Sequence, residues 1–221
     1  MTCADNLLDG QCAHWEGKLS TIKDMFGTNP SQAAQRAMEA FRGSESRRVL
    51  ELGGGQGRDT VFFAENGLDV VSLDYSESGV RAIAERAGEL GLSRRVAALC
   101  HDVRRPLPLP DASFDGCYAH MLYCMALTGK EQTVLAAEVL RVLRPGGIHV
   151  YTVRNTDDPH YRQGIHRGEE MYETKGFIVH FFDIERVEHL AKGYELLSLD
   201  RLEESRLPRR LFMVTMRKPP G

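Results

Sequence analysis

Three glycines at alternating positions follow a short apolar segment in the first quarter of the chain. Gly53, Gly55 and Gly57 come directly after residues 49–52, which have the composition of a buried strand. Glycine has no Cβ atom, so a ligand can approach the backbone closely at such a turn. The helical pattern that starts at Thr60 places free N–H groups behind the turn, where they suit a carboxylate or a phosphate. These residues predict a small-molecule site at the carboxyl end of a first β-strand.

Side chains that can bind a ligand also follow the next three predicted strands. Asp74 ends the second strand about 20 residues beyond the glycine loop, where an acidic side chain can accept hydrogen bonds from ribose hydroxyls. Asp102 ends the third strand, and His120 follows the fourth. His120 can serve as a base or as an orienting donor, and a purely structural histidine is the alternative. Because ligands gather at the carboxyl edge of a parallel sheet, we expect these side chains near the glycine loop.

Arg58 narrows the choice of ligand for the glycine loop. A phosphate-binding P-loop requires Gly-Lys followed by Ser or Thr, and this chain has Gly57-Arg58-Asp59. A dinucleotide fingerprint requires another glycine at the position of Arg58. Both kinds of site are therefore excluded, and the spacing that remains is Glu51-x-Gly53-x-Gly55-x-Gly57.

Strands and helices alternate along the chain, which predicts an α/β fold. The predicted strands are residues 49–52, 69–73, 95–100, 113–119, 148–153, 195–202 and 210–216, and the predicted helices between them are residues 60–66, 76–90, 130–143 and 183–192. The last two strands follow each other without a helix, which indicates an antiparallel pair at one edge. We expect a Rossmann-like, doubly wound, seven-stranded sheet that is mostly parallel, with an antiparallel last strand and helices on both faces.

The length of 221 residues, of which 42% are hydrophobic, suffices for one α/β domain. Residues 154–182 are largely polar and too long for an ordinary connection, and loops of this kind are usually functional. Two helices are expected near residues 19–25 and 31–41. The single domain (residues 1–221) then divides into an N-terminal helical cap (1–47), a cofactor-binding core (48–153), a substrate loop or lid (154–182), and a C-terminal helix with antiparallel strands (183–221).

Charge and cysteine content argue against several partners and locations. The net charge of −3 gives no basic surface for nucleic acid or an anionic membrane, and no apolar run has the length of a membrane span. Five cysteines, an odd number without framework spacing, indicate reduced thiols in the cytoplasm. The histidines and glutamates of residues 154–175 lack the fixed spacing of a metal site, so no metal is expected. We expect a small-molecule substrate and a monomer or homodimer.

The order of these motifs resembles that of the class I S-adenosylmethionine-dependent methyltransferases. Glu51 to Gly57 is similar to the family's motif I, although the family often has Cys or Ser where this chain has Gly54. Residues 100–103, 109–115 and 138–147 resemble the family's segments around strands three, four and five. The resemblance implies S-adenosylmethionine as cofactor and S-adenosylhomocysteine as product, with Asp102 against the adenine amino group. The implied cofactor-binding residues are Glu51, Gly53, Gly55, Gly57, Asp74, Tyr75, Asp102, Val103 and Ala119.

A narrower resemblance concerns the methyl acceptor. Residues 26–31, 57–59 and 64–70 look like small-molecule methyltransferases of the tellurite-resistance, thiopurine and type 11 groups, which implies a thiol, a chalcogen oxyanion or another metabolite as acceptor. His120 is the catalytic candidate, and the substrate-side candidates are His14, Trp15, His160, Tyr161, His166 and Tyr172.

Methyl transfer asks little acid–base chemistry of the protein. The sulfonium makes the methyl carbon electrophilic, so the site must align the nucleophile with the S–CH₃ bond and exclude water. A thiolate needs no general base, whereas an oxygen or amine acceptor must lose a proton. The alternative from another functional class is a non-catalytic protein that binds S-adenosylmethionine or S-adenosylhomocysteine as a sensor or as a subunit of a complex.

Overall fold

The computed structural model describes residues 3–204 and 209–221, with side chains from residue 9 onward. Within these residues helices and strands alternate between residues 48 and 154, except that no helix separates the strands at 96–100 and 114–120. Their order and bounds are α1 (Cys3–Thr21), α2 (Gln32–Gly43), β1 (Arg48–Leu52), α3 (Arg58–Glu65), β2 (Asp69–Asp74), α4 (Glu77–Glu89), β3 (Val96–Cys100), β4 (Phe114–His120), α5 (Gly129–Val142), β5 (Leu143–Arg154), β6 (Ile165–Gly168), β7 (Met171–Thr174), β8 (Phe177–His180), α6 (Ile184–Leu190), β9 (Glu195–Glu204) and β10 (Arg209–Arg217).

The central sheet has seven strands in the order β3-β2-β1-β4-β5-β10-β9. Strands β1 to β5 pair in parallel, and β10 is antiparallel to both of its neighbours, β5 and β9. The predicted sheet, mostly parallel with an antiparallel last strand, is confirmed. The order reverses at β1, so the carboxyl ends of β1 and β4 border a crevice of the kind that binds ligands in open α/β sheets.

The inner strands are apolar on both sides because each face of the sheet is covered by helices. Val49 of β1 packs in a core with α2 and α3, whereas Leu50 and Leu52 pack in a second core with α5 and α6. All three side chains are fully buried. Burying one such side chain contributes about 1.5–3 kcal/mol. The near-continuous apolar runs in the sequence therefore follow from a sheet with helices on both faces.

The helix starts around the crevice are set by local side chains and by one glycine. The Ser76 hydroxyl accepts a hydrogen bond from the Gly79 N–H at 3.0 Å and so caps α4. Ser31 caps α2 in the same way. Gly57 begins α3 in the left-handed conformation, with φ at 85°, which glycine adopts without steric cost.

The N-terminal segment differs from the prediction of a helix at residues 19–25. Helix α1 occupies Cys3–Thr21 and ends where that helix was expected to begin. Its position depends on tertiary contacts: Glu16 accepts hydrogen bonds from the Ser76 and Ser78 hydroxyls at the start of α4. Helix α2 was predicted within the cap, but its side chains are buried against the sheet core, with Phe41 fully buried. Of these two helices, α1 is the one that lines the crevice, through Trp15 and Leu19.

Residues 154–182 are more regular than predicted. They contain a second sheet of three antiparallel strands in the order β6-β7-β8. Each strand has only four residues, and Ile165 is exposed while Met171 and Ile178 are buried. Such short strands with one solvated face carry too few apolar residues to show a strand period in the sequence.

Among the described residues, no helix combines the length and the apolar composition of a membrane span.

Gly54 provides a test of how closely the glycine loop packs on the sheet. A Cβ atom at position 54 would lie 2.1 Å from Ser72 Oγ and 3.0 Å from Glu51 Oε2. Gly54→Ala should therefore lower the free energy of unfolding by about 1–3 kcal/mol through overpacking. Adding Ser72→Ala removes the clashing hydroxyl, so the double variant should lose less than the sum of the single losses. Chemical denaturation measures all of these values.

The matched control is Gly88→Ala in α4, where a new Cβ meets nothing closer than 3.9 Å. That change should be neutral or stabilising. Equal losses for Gly54→Ala and Gly88→Ala, or strict additivity with Ser72→Ala, would contradict the packing argument.

Candidate active site

A cavity of about 430 Å³ lies at the carboxyl ends of the parallel strands. Gly53 and Asp74 line it at the ends of β1 and β2, and His120 and Arg154 line it at the ends of β4 and β5. Its remaining walls are formed by α1, by the turn after α1 and by the three-stranded sheet. This size is within the usual range of small-molecule sites, about 300–1,000 Å³.

The glycine loop is held against Asp74 by backbone hydrogen bonds. Gly53 and Gly55 adopt left-handed conformations, with φ at 75° and 56°. The Gly55 N–H donates to Asp74 Oδ2 at 2.8 Å, and the Ser76 N–H donates to Oδ1 at 2.9 Å. Burial raises the pKa of Asp74 to about 6, although both hydrogen bonds oppose the shift. The carboxylate therefore fixes the loop and still borders the cavity.

Glu51 lies beneath the loop and is almost fully buried. Its Oε2 accepts hydrogen bonds from the Thr60 and Ser72 hydroxyls, the latter at 2.8 Å. Burial raises the pKa of Glu51 to about 7, more than these hydrogen bonds lower it. With Asp74 nearby, this end of the cavity holds two carboxyl groups that a cationic ligand would stabilise in their charged forms.

The structure brings five of the predicted cofactor residues together and leaves four outside the cavity. The five that line it are Glu51, Gly53, Gly55, Asp74 and Tyr75. Gly57 instead contacts Ile83, since a Cβ there would lie 2.9 Å from Ile83 Cγ1. Ala119 and Val103 are buried in the core between the sheet and α5. These three positions shape the loop and the core rather than the cavity wall.

Asp102, the fourth, forms an ion pair with Arg104 at 2.7 Å. Arg104 also pairs with Asp9 of α1 at 2.7 Å, so the end of β3 is linked to the N-terminal helix. Partial burial raises the pKa of Asp102, but the hydrogen bonds from Arg104 outweigh that effect and hold it below its usual value. In this structure Asp102 therefore contacts protein instead of facing the cavity.

His120 lines the cavity, but both of its ring nitrogens contact protein groups. Nδ1 lies 2.8 Å from Thr152 Oγ1, and Nε2 lies 3.2 Å from Glu204 Oε1. The hydrogen bond with His120 lowers the pKa of Glu204 to about 2, so that carboxylate is charged at neutral pH. The next residue, Met121, has a left-handed φ of 59°, and its N–H donates to Thr152 Oγ1 at 3.0 Å. This geometry suits an orienting residue better than a free base.

Three of the predicted substrate-side residues line the cavity, namely Trp15, His160 and Tyr172. The other three pack behind it. His14 contacts the Phe177 ring edge-on at 4.4 Å, and Tyr161 donates a hydrogen bond to Glu170 at 2.7 Å. His166 lies against the Tyr172 ring with centroids 5.0 Å apart. The roof of the cavity is formed by α1 and the three-stranded sheet β6–β8. Ring contacts and one hydrogen bond within it account for the positions of these three residues.

Several residues that line the cavity were not among the predicted site residues. Its apolar lining includes Met25, Phe26, Met121, Leu122, Met125, Phe177, Val179 and Phe181. Gln56 of the glycine loop holds the end of α1: its Nε2 donates to Leu19 O at 3.0 Å and to Ile22 O at 2.8 Å, and its Oε1 accepts from Met25 N–H at 2.9 Å. Arg154, directly after predicted strand five (148–153), was not among the predicted site residues either.

Asp59 connects two of the segments that resemble small-molecule methyltransferases. Its carboxylate accepts hydrogen bonds from the Ser31 N–H at 2.7 Å and from the Ser31 hydroxyl at 2.8 Å. The Tyr118 hydroxyl donates to the same group at 3.2 Å. Residues 26–31 and 57–59 are therefore joined in space next to the cavity. No group of three or more metal-ligating side chains converges in the part of the chain that the structure describes.

The raised pKa of Glu51 has a consequence for stability. Between the unfolded value of 4.5 and the folded value of about 7, the folded protein keeps a proton that the unfolded chain releases. The free energy of unfolding should fall as pH rises through this window. Glu51→Gln should remove part of that slope, so that the variant gains about 1–3 kcal/mol relative to wild type between pH 5 and pH 8. Urea denaturation at each pH measures it.

The exposed Glu65, changed to Gln, is the control and should leave the slope as in wild type. Parallel curves for wild type and Glu51→Gln would refute the protonation of Glu51 in this range.

Comparisons with known proteins agree with this geometry. A family model described as a methyltransferase domain matches residues 49–147. The 24-methylenesterol C-methyltransferase 2 of Oryza sativa is 28% identical over 164 residues, which cover 71% of this chain and 44% of the relative. The demethylmenaquinone methyltransferase of Beutenbergia cavernae is 33% identical over 111 residues, 50% of this chain and 42% of the relative. This chain thus matches less than half the length of either curated relative.

Solved structures share the fold beyond the matched segment. The 1,6-didemethyltoxoflavin-N1-methyltransferase of Burkholderia thailandensis superposes with a TM-score of 0.78 and 20% identity, over 99% of this chain and 92% of that one. The [4+2]-cyclase SpnF superposes with a TM-score of 0.65 and 21% identity, over 85% and 82% of the two chains. Residues 49–147 thus match a methyltransferase domain, and the whole chain shares the fold of these solved structures.

Proposed function

We propose that this protein transfers a methyl group from S-adenosylmethionine to a small-molecule acceptor by in-line displacement. One feature carries the proposal: a single cavity joins the glycine loop and Asp74 to a largely apolar compartment at the ends of β4 and β5. A donor at the first end and an acceptor at the second would share one enclosed space. Holding both reactants in one geometry supplies a large part of such a rate enhancement.

The donor end fits the cofactor by its chemistry. Gly53 and Gly55 keep the backbone open to a ligand, and Asp74 offers a carboxylate at the end of β2. Glu51 and Asp74 together favour a ligand with positive charge, as S-adenosylmethionine has in its sulfonium and amino groups. When bound, the cofactor supplies an activated methyl group, and these residues bind and orient it.

The acceptor end favours a soft or already anionic nucleophile. Its wall includes Met121, Met125 and Phe177, which exclude water from the reacting atoms. His120 has both nitrogens in contact with protein groups, so it is not available to remove a proton in this geometry. A thiolate or a chalcogen oxyanion needs no such base. The Burkholderia neighbour, which holds 1,6-didemethyltoxoflavin and S-adenosylhomocysteine, supports a compact acceptor.

The location and assembly are proposed on the sequence alone. Five cysteines without framework spacing favour a cytoplasmic enzyme, and a monomer or homodimer agrees with one site per chain.

The alternative is a protein of the same fold without methyl transfer. SpnF, a cyclase with this fold, shows that the architecture alone does not determine the chemistry. Titration calorimetry with S-adenosylhomocysteine, followed by a radiolabelled methyl-transfer screen, separates the two. The screen should include thiols, selenite, tellurite, phenols, amines and nitrogen heterocycles. Binding together with transfer to at least one acceptor supports the enzyme, whereas binding without any transfer supports the alternative.

Asp74→Asn tests the donor end. The change removes the negative charge and replaces one of the two oxygens that accept hydrogen bonds from the Gly55 and Ser76 N–H groups. The affinity for S-adenosylhomocysteine should therefore fall by about 10- to 100-fold, as expected for a lost charged hydrogen bond. The exposed Asp200→Asn on β9 is the matched control and should bind as wild type does. Unchanged affinity in Asp74→Asn would remove this residue from the proposed cofactor site.

A further inference from the structure

Arg154 places a guanidinium group at the acceptor end of the cavity. It is the last residue of β5, and only 8% of it is exposed. It nevertheless lines the cavity, together with Phe181 and Tyr172 of the roof. A buried charge is costly unless its partners are fixed, so such a position requires a specific set of contacts.

Those contacts hold the guanidinium in one orientation. Nε donates to Asp158 Oδ2 at 3.0 Å, and Nη2 donates to Asp158 Oδ1. The Asp158 side chain is fully buried and also accepts from the backbone N–H groups of His160 and Arg210, each at 2.9 Å. Burial raises the pKa of Asp158, but the hydrogen bonds led by Arg154 outweigh it, so the pair is charged. The ring of Phe181 lies 5.2 Å from the guanidinium carbon.

One nitrogen of this group remains for a ligand. Nη1 has no hydrogen-bond partner among residues 9–204 and 209–221, whereas Nε and Nη2 are both engaged. Arg209, which is on the strand that pairs with β5 and forms an ion pair with Glu204 at 3.5 Å, also lines the cavity, and the carboxyl groups of Glu51 and Asp74 line it near the ends of β1 and β2. The guanidinium of Arg154 at the end of β5 thus borders the same cavity as the carboxyl groups near the ends of β1 and β2.

We propose that Arg154 anchors an anionic oxygen group, such as a carboxylate, on an acceptor that has a flat apolar body. This rests on the proposed function and specifies its substrate class. A guanidinium fixed by Asp158 binds an oxyanion through a charge-assisted hydrogen bond. Phe177, Phe181 and Met121 provide the apolar surface for the rest of the molecule. With its anion held at β5, the acceptor would extend towards the glycine loop, where its nucleophilic atom meets the methyl group.

A matched pair of probes tests the anchor without methyl transfer. 2-Naphthoate and 2-naphthamide share a flat apolar body and differ in charge at one group. Calorimetry on protein saturated with S-adenosylhomocysteine should show naphthoate binding about 10- to 100-fold more tightly than the amide. Arg154→Met should abolish this preference and leave the affinity for S-adenosylhomocysteine unchanged.

Two further variants keep the test decisive. Arg154→Met leaves Asp158 without its main partner, so the double variant R154M/D158N removes both charges and should lose the preference in a folded protein. Arg217→Met, on an exposed arginine paired with Glu195 at the opposite end of the last strand, should keep it.

The outcomes separate the two proposals. Equal binding of naphthoate and naphthamide to wild type, no naphthoate binding, or a preference retained in R154M/D158N would overturn the anchor alone. Failure of wild type to bind S-adenosylhomocysteine would overturn the proposed function and this inference with it.

Discussion

The site depends on the hydrogen bonds that the Asp74 carboxylate accepts. Its two oxygens accept hydrogen bonds from the N–H groups of Gly55 and Ser76, and these bonds join the turn after β1 to the start of α4. Ser76 in turn caps α4 and donates to Glu16 of α1. One side chain at the end of β2 thereby fixes the glycine loop and the contact point of the N-terminal helix.

The roof over the cavity is assembled from two segments that are distant in the sequence. The Gln11 side chain donates to Gly176 O at 2.9 Å and accepts from Ile178 N–H at 3.3 Å, as an adjacent strand would. His14 and Trp15 add ring contacts to Phe177 at 4.4 and 5.0 Å. Helix α1 and the three-stranded sheet therefore form one continuous cover. Residues of α1 and of β7 and β8, which are distant in the sequence, therefore line the same cavity.

Sequence alone predicted the central sheet because its strands are apolar on both faces and its glycine loop has fixed spacing. It placed Asp74 and Glu51 at the site for the same reason. It did not predict β6 to β8, whose four-residue strands have one solvated face, or the true bounds of α1, which depend on partners such as Ser76 and Ser78. It also did not show that Arg104 engages Asp102, since that requires knowing which charges meet across the fold.

Gln56 gives the glycine loop a second role, because its side chain holds three backbone groups at the end of α1. A ligand that shifts or tightens this loop changes the same bonds that secure the roof. By thermodynamic linkage, if an acceptor under the roof raises the affinity for a ligand at the loop, that ligand must raise the affinity for the acceptor by the same factor. The Gln56 side chain thus connects the glycine loop and the end of α1 through one set of hydrogen bonds.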